Sequence, residues 1–215
     1  SVTLEGRPPY QAAFVFEKLN DETGRAMHKS WGNAIDFDEA ADRMGADVMR
    51  WIYAGQHPLH NINFGYGPAG DVKRRLLTLW HVTSFFVTYA RLDGFDPTQP
   101  AVPLDERADL DRWVLSRLQA LVQSMTDALE SYAVHRGVRA AQAFIEDLSN
   151  WYVRRGRRRY WKAENDADKL AAYQTLYEVL TTLVRMLAPV MPFWMEDIYQ
   201  NLVRRVDADA PESVH

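Results

Sequence analysis

Cysteine is absent from the 215 residues, which removes disulfide staples and every thiolate metal site, the usual structural zinc knot included. Stability must come from packing. No uninterrupted apolar run is long enough to span a bilayer, and the first residues carry neither a basic segment nor an apolar signal core. A cytoplasmic protein with no membrane partner is the expectation. A positive balance is lacking too: the formal net charge is -4, so the surface as a whole cannot coat nucleic acid, and any RNA contact must be local. The chain also lacks an initiating methionine, and Ser213, Val214 and His215 follow directly on a polar stretch from Asp207 to Glu212. Such ends look cut, as in a piece of a longer protein; composition leaves open a natural chain that has lost its methionine.

What is present is ordinary for a folded chain: 47% hydrophobic and 25% charged residues suit one large or two small domains with a real core. Gln11 to Leu19 contain Phe14, Val15 and Phe16 ahead of a turn signal, Asn20-Asp21-Glu22-Thr23-Gly24, which predicts a strand, a turn and a short return into a loop. A short helix is expected from Asp38 to Gly45 and another from Asp47 to Gly55. Between Gly55 and Gly70, glycines and prolines mark a connector.

From Asp71 the pattern turns helical. Leu76, Leu79, Trp80, Val82, Phe85, Phe86 and Tyr89 form the first apolar stretch, which Gly94 and Pro97 end. Leu110, Val114, Leu118, Leu121, Met125, Leu129 and Tyr132 then recur at spacings of three and four, as do Val134 to Tyr152 and Leu170 to Leu187. Four long amphipathic helices predict an antiparallel bundle over about Asp71 to Val203. Pro192 is placed to start a further short helix through Trp194, Ile198 and Leu202. The acids of Glu164 to Asp168 suit a helix start. Trp51, Trp80, Trp113, Trp151 and Trp194 fall on apolar faces and are expected in the core. His57, His60, His81 and His135 lack metal-ligand spacing and are read as structural; no metal site is expected.

Chemistry concentrates in the loop Gly24-Arg25-Ala26-Met27-His28-Lys29-Ser30-Trp31-Gly32-Asn33. A lysine in a glycine-flanked loop between a strand and a helix can bring an ammonium to a polyphosphate and stabilise charge developing on a leaving pyrophosphate. Solvated surface is the plainer reading of the same residues. The loop resembles the second signature of the class I aminoacyl-tRNA synthetases, KMSKS followed by Gly-Asn. Met27, His28, Lys29, Ser30, Gly32 and Asn33 are its counterparts, and the more important second lysine falls on Lys29. Ala26 stands where the first lysine is usual and His28 where the first serine is; Arg25 is close enough to substitute for the missing cation.

The resemblance runs on in order through Gly45 to Trp51, Asn63-Phe64-Gly65, Trp80 to Tyr89, Asp111-Arg112-Trp113, Asn150 to Arg155 and the final Ser213-Val214-His215, and favours the isoleucine type over its valine and leucine relatives. It implies a mainly α fold: an anticodon-binding helical bundle over 105–215, a stem-contact region over 71–104, and a partial α/β remnant of a catalytic nucleotide-binding fold over 1–70. It implies a parent that activates isoleucine with ATP and Mg2+ and transfers it to tRNA, with Lys29 catalytic. It does not imply activity for this piece, because the first class I signature, HIGH, and the amino-acid pocket are missing. No ATP, Mg2+ or zinc is expected to stay bound to it.

Arg154, Arg155, Arg157, Arg158, Arg159 and Lys162, interleaved with Tyr160 and Trp161, form an acid-free run on an otherwise acidic chain. Guanidinium groups pair with phosphates and aromatic faces stack on unpaired bases, so these five arginines and Trp161 are candidates for tRNA. Alternatively the arginines complement a helix end or brace the bundle. A non-catalytic tRNA-binding module and a plain helical interaction protein are the rival functions.

Overall fold

Apolar residues recurring every three and four positions need a helix to put them on one face, and the computed structural model, which describes residues 2–10, 13–162, 164 and 166–215, supplies those helices. Four long stretches carry the bundle: α4 (Tyr66–Leu92), α5 (Asp109–Glu130), α6 (Val134–Asp147) and α8 (Ala167–Leu187). Helix α6 does not stop at Asp147. It runs through a π-helical turn, Leu148–Val153, into α7 (Arg154–Trp161), so the arginine run is itself helical. Pro192 opens α9 (Pro192–Tyr199) at the first helical position, where its missing N–H costs nothing.

Helix α8 is buried almost all round and forms the axis of the bundle, with Leu176, Val179, Leu180, Leu183 and Leu187 each no more than 1% exposed. Val114 and Leu118 of α5 and Ala141, Ile145 and Leu148 of the neighbouring helix complete the seam. Helices α5 and α6 approach closely because residue 137 is glycine. A Cβ there would lie 2.5 Å from the Met125 sulfur and 3.2 Å from the Ala128 Cβ. The link before α5 is pinned to the axis as well: Gln174 accepts from the Val102 N–H and donates to the Pro100 carbonyl, while Arg107 donates to Thr175.

One polar cluster crosses this core. Asp111 is fully buried, and its carboxylate receives two bonds from Arg159, at 2.7 and 2.6 Å, and one from the Tyr152 hydroxyl at 2.7 Å. Arg159 also reaches Asp168 at 2.8 Å, so α5, α7 and α8 meet at a single guanidinium. Burial works against the Arg159 charge, yet the bonds and attraction from Asp111 outweigh it and raise the pKa.

The first part is smaller. After a single helical turn, α1 (Val2–Glu5), comes β1 (Leu19–Asp21), which pairs in parallel with β2 (Ile62–Phe64), and α2 (Phe37–Met44) and α3 (Ala46–Gly55) follow in the same part. Helix α2 starts from Asp36, whose side chain accepts from the Asp38 N–H. Helix α3 joins this part to the bundle. Its Asp47 accepts from the N–H groups of Phe193 and Trp194 and so caps α9, which has no side-chain cap of its own. Arg50 donates to the carbonyls of Pro189 and Val190 beyond the end of α8. Both charges match the helix dipoles they meet.

Several expectations are corrected. Within Gln11 to Leu19, Gln11 and Ala12 lie outside the described residues, and Phe14, Val15 and Phe16 are exposed and form no strand. The strand is Leu19–Asp21, and the short return is a single antiparallel bridge from Asn20 to Ala26. A short apolar run marks a segment that can pair, but a strand also needs a partner for its backbone groups. The connector contains β2, and α4 begins at Tyr66, five residues before Asp71. Pro68 sits in the first turn of that helix, where proline is tolerated, so it does not mark a loop. Of the acids at 164–168, Asp166 is the cap and accepts from the Lys169 N–H at 2.8 Å; Glu164 precedes the helix and Asn165 lies outside the described residues.

Trp51 is buried as expected and Trp113 and Trp194 are half-buried, but Trp80 and Trp151 are 44% and 51% exposed. At Trp151 the cause is the π turn, which is wider than an α turn, rotates less per residue, and leaves Tyr152 on the seam. Removing the carboxylate with Asp111→Ala should strand the Arg159 charge in the core and cost about 3–5 kcal/mol. Urea unfolding would read this as a lower midpoint, and an unchanged midpoint would show that the cluster is not structural.

Candidate nucleotide loop and RNA face

The Gly24–Asn33 loop is held at its two ends by polar side chains, the Asp21 carboxylate and the Asn33 amide. Asp21 Oδ1 accepts from the Thr23 N–H (3.0 Å), the Thr23 hydroxyl (2.7 Å) and the Arg25 N–H (2.9 Å). Its Oδ2 accepts from Asn33 Nδ2 at 2.8 Å. The Thr23 hydroxyl, Asn33 and the backbone N–H groups together hold the Asp21 carboxyl well below the usual carboxylate range. Asn33 in turn donates to the Ala26 carbonyl (3.0 Å) and accepts from the His28 N–H (2.9 Å). One amide therefore ties the end of the loop to its start.

Between those ties, Lys29–Trp31 form one 3-10 turn, closed by Gly32 at φ 68°, a left-handed value that glycine adopts without strain. Met27 is half-buried against the core, whereas His28, Lys29 and Ser30 are exposed. The His28 ring packs against Trp31 at 4.2 Å between centroids, tilted by 58°, and the Arg25 guanidinium lies 5.7 Å from the Trp31 ring. Arg25, His28 and Lys29 thus cluster at the exposed tip. The Lys29 ammonium has no carboxylate partner among the described residues. A backbone turn of this kind, fixed at its ends and cationic at its tip, can meet an anion without reorganising.

The loop's root is also fixed from the bundle side. Glu22 Oε2 accepts from the Gly67 N–H at 3.1 Å, a carboxylate at the start of the 27-residue helix α4. Its side chain fills the space where a Cβ on residue 65 would sit, 2.6 Å away, which accounts for Gly65.

The arginines divide into two groups. Arg159 is 15% exposed and committed to Asp111 and Asp168. Lys162 pairs with Asp166 and Asp168. Arg154, Arg155, Arg157 and Arg158 are exposed, and none pairs with a carboxylate among the described residues. The buried side of the same helix is Gly156 and Tyr160, with the Tyr160 hydroxyl donating to the Ala172 carbonyl at 3.0 Å. Trp161 is 55% exposed, with the Arg157 guanidinium 5.9 Å from its ring. Arg155 lies over the Trp151 ring at 5.0 Å.

Sequence reasoning found the loop tip and the arginine run but missed the Asp21–Asn33 latch, the Asp111 anchor and the exposure of Trp151. The Asn20–Gly24 turn signal was the available cue to the latch. Among the described residues no group of three or more His, Asp or Glu side chains could hold a metal ion. No helix among them is long and apolar enough to cross a membrane. His135 is buried beside His57, with ring centroids 4.5 Å apart, and burial lowers its pKa. A cleft of about 590 Å3 lined by Trp80, Phe86, Phe95, Asp197 and Arg205 contains neither the loop nor the arginines.

Comparison with known proteins agrees with this geometry. Residues 111–215 match the family described as the anticodon-binding domain of tRNA ligase, and residues 1–65 match the class I tRNA synthetases for I, L, M and V. The chain is 46% identical to the isoleucine-tRNA ligase of Dehalococcoides mccartyi strain CBDB1 and 48% identical to that of Thermus thermophilus. Each alignment covers 100% of this chain and 21% of the relative, so the chain spans about a fifth of their length. Two solved structures share its fold. They are the Mycobacterium tuberculosis methionyl-tRNA synthetase with methionyl-adenylate (TM-score 0.68, 20% identity, 92% of this chain and 42% of that one) and the Agrobacterium radiobacter K84 leucyl-tRNA synthetase in a ternary complex with tRNA (TM-score 0.65, 21% identity, 86% and 21%). From the loop at one end to the helical bundle at the other, the chain belongs to the class I aminoacyl-tRNA synthetases and is similar to about a fifth of the length of the isoleucine-tRNA ligases.

Proposed function

We propose that this chain supplies two parts of an isoleucine-activating enzyme: a cationic loop that meets the ATP polyphosphate, and a helical bundle that holds the anticodon arm of tRNA. The observation that carries the proposal is the latched loop with Lys29 at its exposed tip, continuous with a bundle whose outer face carries four arginines that, like Lys29, have no carboxylate partner among the described residues. Lys29 would stabilise the charge that develops on pyrophosphate as the adenylate forms, and Arg25 stands near enough to share the task left by the absent first lysine. Asn33 positions the loop by its bonds to Asp21 and the backbone and is a positioning residue in this reading. Met27 seats the loop on the core; His28, Ser30 and Gly32 complete the anion-facing turn.

ATP with Mg2+ supplies the adenylyl group, and family membership implies their use in general. Zinc has no thiolate to bind within this chain. The working division is a catalytic remnant over 1–70, a stem-contact region over 71–104, and the anticodon-binding bundle over 105–215. Isoleucine and the HIGH-bearing nucleotide fold belong to the rest of the parent, in the cytoplasm where charged tRNA is used. The 215-residue chain alone lacks the adenine and amino-acid pockets, and positioning supplies much of an enzyme's rate. A non-catalytic RNA module would have no use for the latched loop, which favours the enzyme reading.

In the full-length parent, Lys29→Ala should slow isoleucine-dependent pyrophosphate exchange roughly a hundredfold, on the order of 3 kcal/mol, with little change in tRNA affinity. Exchange at the wild-type rate would remove Lys29 from catalysis. Asn33→Ala should speed hydrogen exchange at the His28 and Arg25 amides and leave the bundle amides protected; unchanged exchange at His28 would mean that the latch does not order the loop. Replacing Arg154 and Arg158 by Gln should weaken tRNA binding and flatten the plot of log affinity against log salt by about 0.7–0.9 for each phosphate left without its arginine. An unchanged slope would move the anticodon arm to another face.

A further inference from the structure

We infer that Trp151, with the Arg155 guanidinium laid over it, is a stacking platform for an unpaired RNA base, a site separate from the phosphate contacts of the arginine run. The inference rests on the RNA-binding reading above and adds a residue to it. Trp151 lies in the π turn that joins α6 to α7, so its ring leaves the seam that Leu148 and Tyr152 occupy and stands 51% exposed. The ring is the side chain of a helix whose opposite face is fixed by the buried bonds of Tyr152 and Arg159 to Asp111. Its direction is therefore set by the core. A rigid, half-exposed indole offers a π face that is already ordered, which spares a ligand the entropy of arranging it.

Charge selects the occupant. Arg155 sits 5.0 Å from the indole centroid, within the range of a cation–π contact. Arg154 and Arg158 are three and seven residues on and share the exposed side of the helix with it. The guanidiniums of Arg154, Arg155 and Arg158 thus make the surface on the α7 side of the indole cationic, while the Asp147 carboxylate four residues before it is engaged by Arg117 at 3.0 Å, and a protein partner would have to bring several carboxylates to neutralise those arginines. A nucleotide brings one phosphate for each base, which matches a platform ringed by guanidiniums. Trp161 with Arg157 repeats the arrangement ten residues along, about 15 Å at the rise of an α-helix. Two aromatic stops of that separation, with arginines between, fit a strand of unstacked bases rather than the closed flank of a duplex.

The test uses the 215-residue chain, an RNA hairpin with an unpaired loop, the same hairpin with an abasic loop, and a duplex of the same stem. Trp151→Ala should weaken binding of the intact hairpin about tenfold, leave the abasic hairpin and the duplex near their wild-type affinities, and keep the salt slope. Trp151→Phe, which retains a π face, should recover most of the loss, and the urea midpoint of both variants should stay near wild type. Equal losses for hairpin, abasic hairpin and duplex would overturn the platform and assign Trp151 to the shape of the helix. Full affinity of Trp151→Ala for the intact hairpin would overturn it too. If the unaltered chain fails to bind any of the three RNAs in a salt-dependent way, the RNA reading itself falls, a result distinguishable because the arginine variants would then also show no effect.

Discussion

The buried Asp111 carboxylate is the constraint on which the outer surface of the bundle depends. A helix that carries five arginines within six residues could roll to expose any of them, and hydrophobic packing of Gly156 and Tyr160 alone would fix that roll loosely. The two bonds from Arg159 and the one from Tyr152 make it specific. One arginine is drawn into the core, and the other four are thereby turned outward with the two indoles. Such a pair contributes little net stability relative to an apolar replacement, because desolvation offsets most of the attraction. Its role here is orientation.

A second set of polar contacts makes the small α/β part and the bundle continuous. Asp47 and Arg50 of α3 satisfy the start of α9 and the carbonyls after α8, so two helix ends that would otherwise hold open backbone groups are closed by a neighbouring helix. Glu22 does the same for the start of α4. The consequence is mechanical: the root of the Lys29 loop and the first turn of the longest helix share a carboxylate. A tRNA arm on the bundle and a nucleotide at the loop would be held by one connected frame.

The loop is ordered differently. Few apolar side chains anchor it, and its shape comes from two small polar residues, Asp21 and Asn33, that meet backbone groups on both strands of the turn. This leaves its tip exposed and its cations without a carboxylate partner among the described residues. Of the two acids that precede the loop, Asp21 has both oxygens occupied by donors within the turn, which keeps it ionised, and Glu22 is turned to the Gly67 N–H, so neither captures Arg25 or Lys29 as a salt bridge.

Sequence determined the helices, because a spacing of three and four residues can bury one face only in a helix, and Pro192 marked the start of α9 by the geometry of its ring. It also marked the signature loop, since Met27, Lys29, Ser30, Gly32 and Asn33 are consecutive enough to be read directly. Tertiary structure decided which arginine is structural, that Trp151 faces solvent, that Leu19–Asp21 pairs in parallel with Ile62–Phe64, and that Phe14–Phe16 does not pair. The arginine's role and the strand pairing depend on partners distant in the chain, Asp111 lying 48 residues before Arg159, while the π turn over Leu148–Val153 turns Trp151 outward. A local pattern records what a residue can do within its own turn or strand, but not which distant group will claim it.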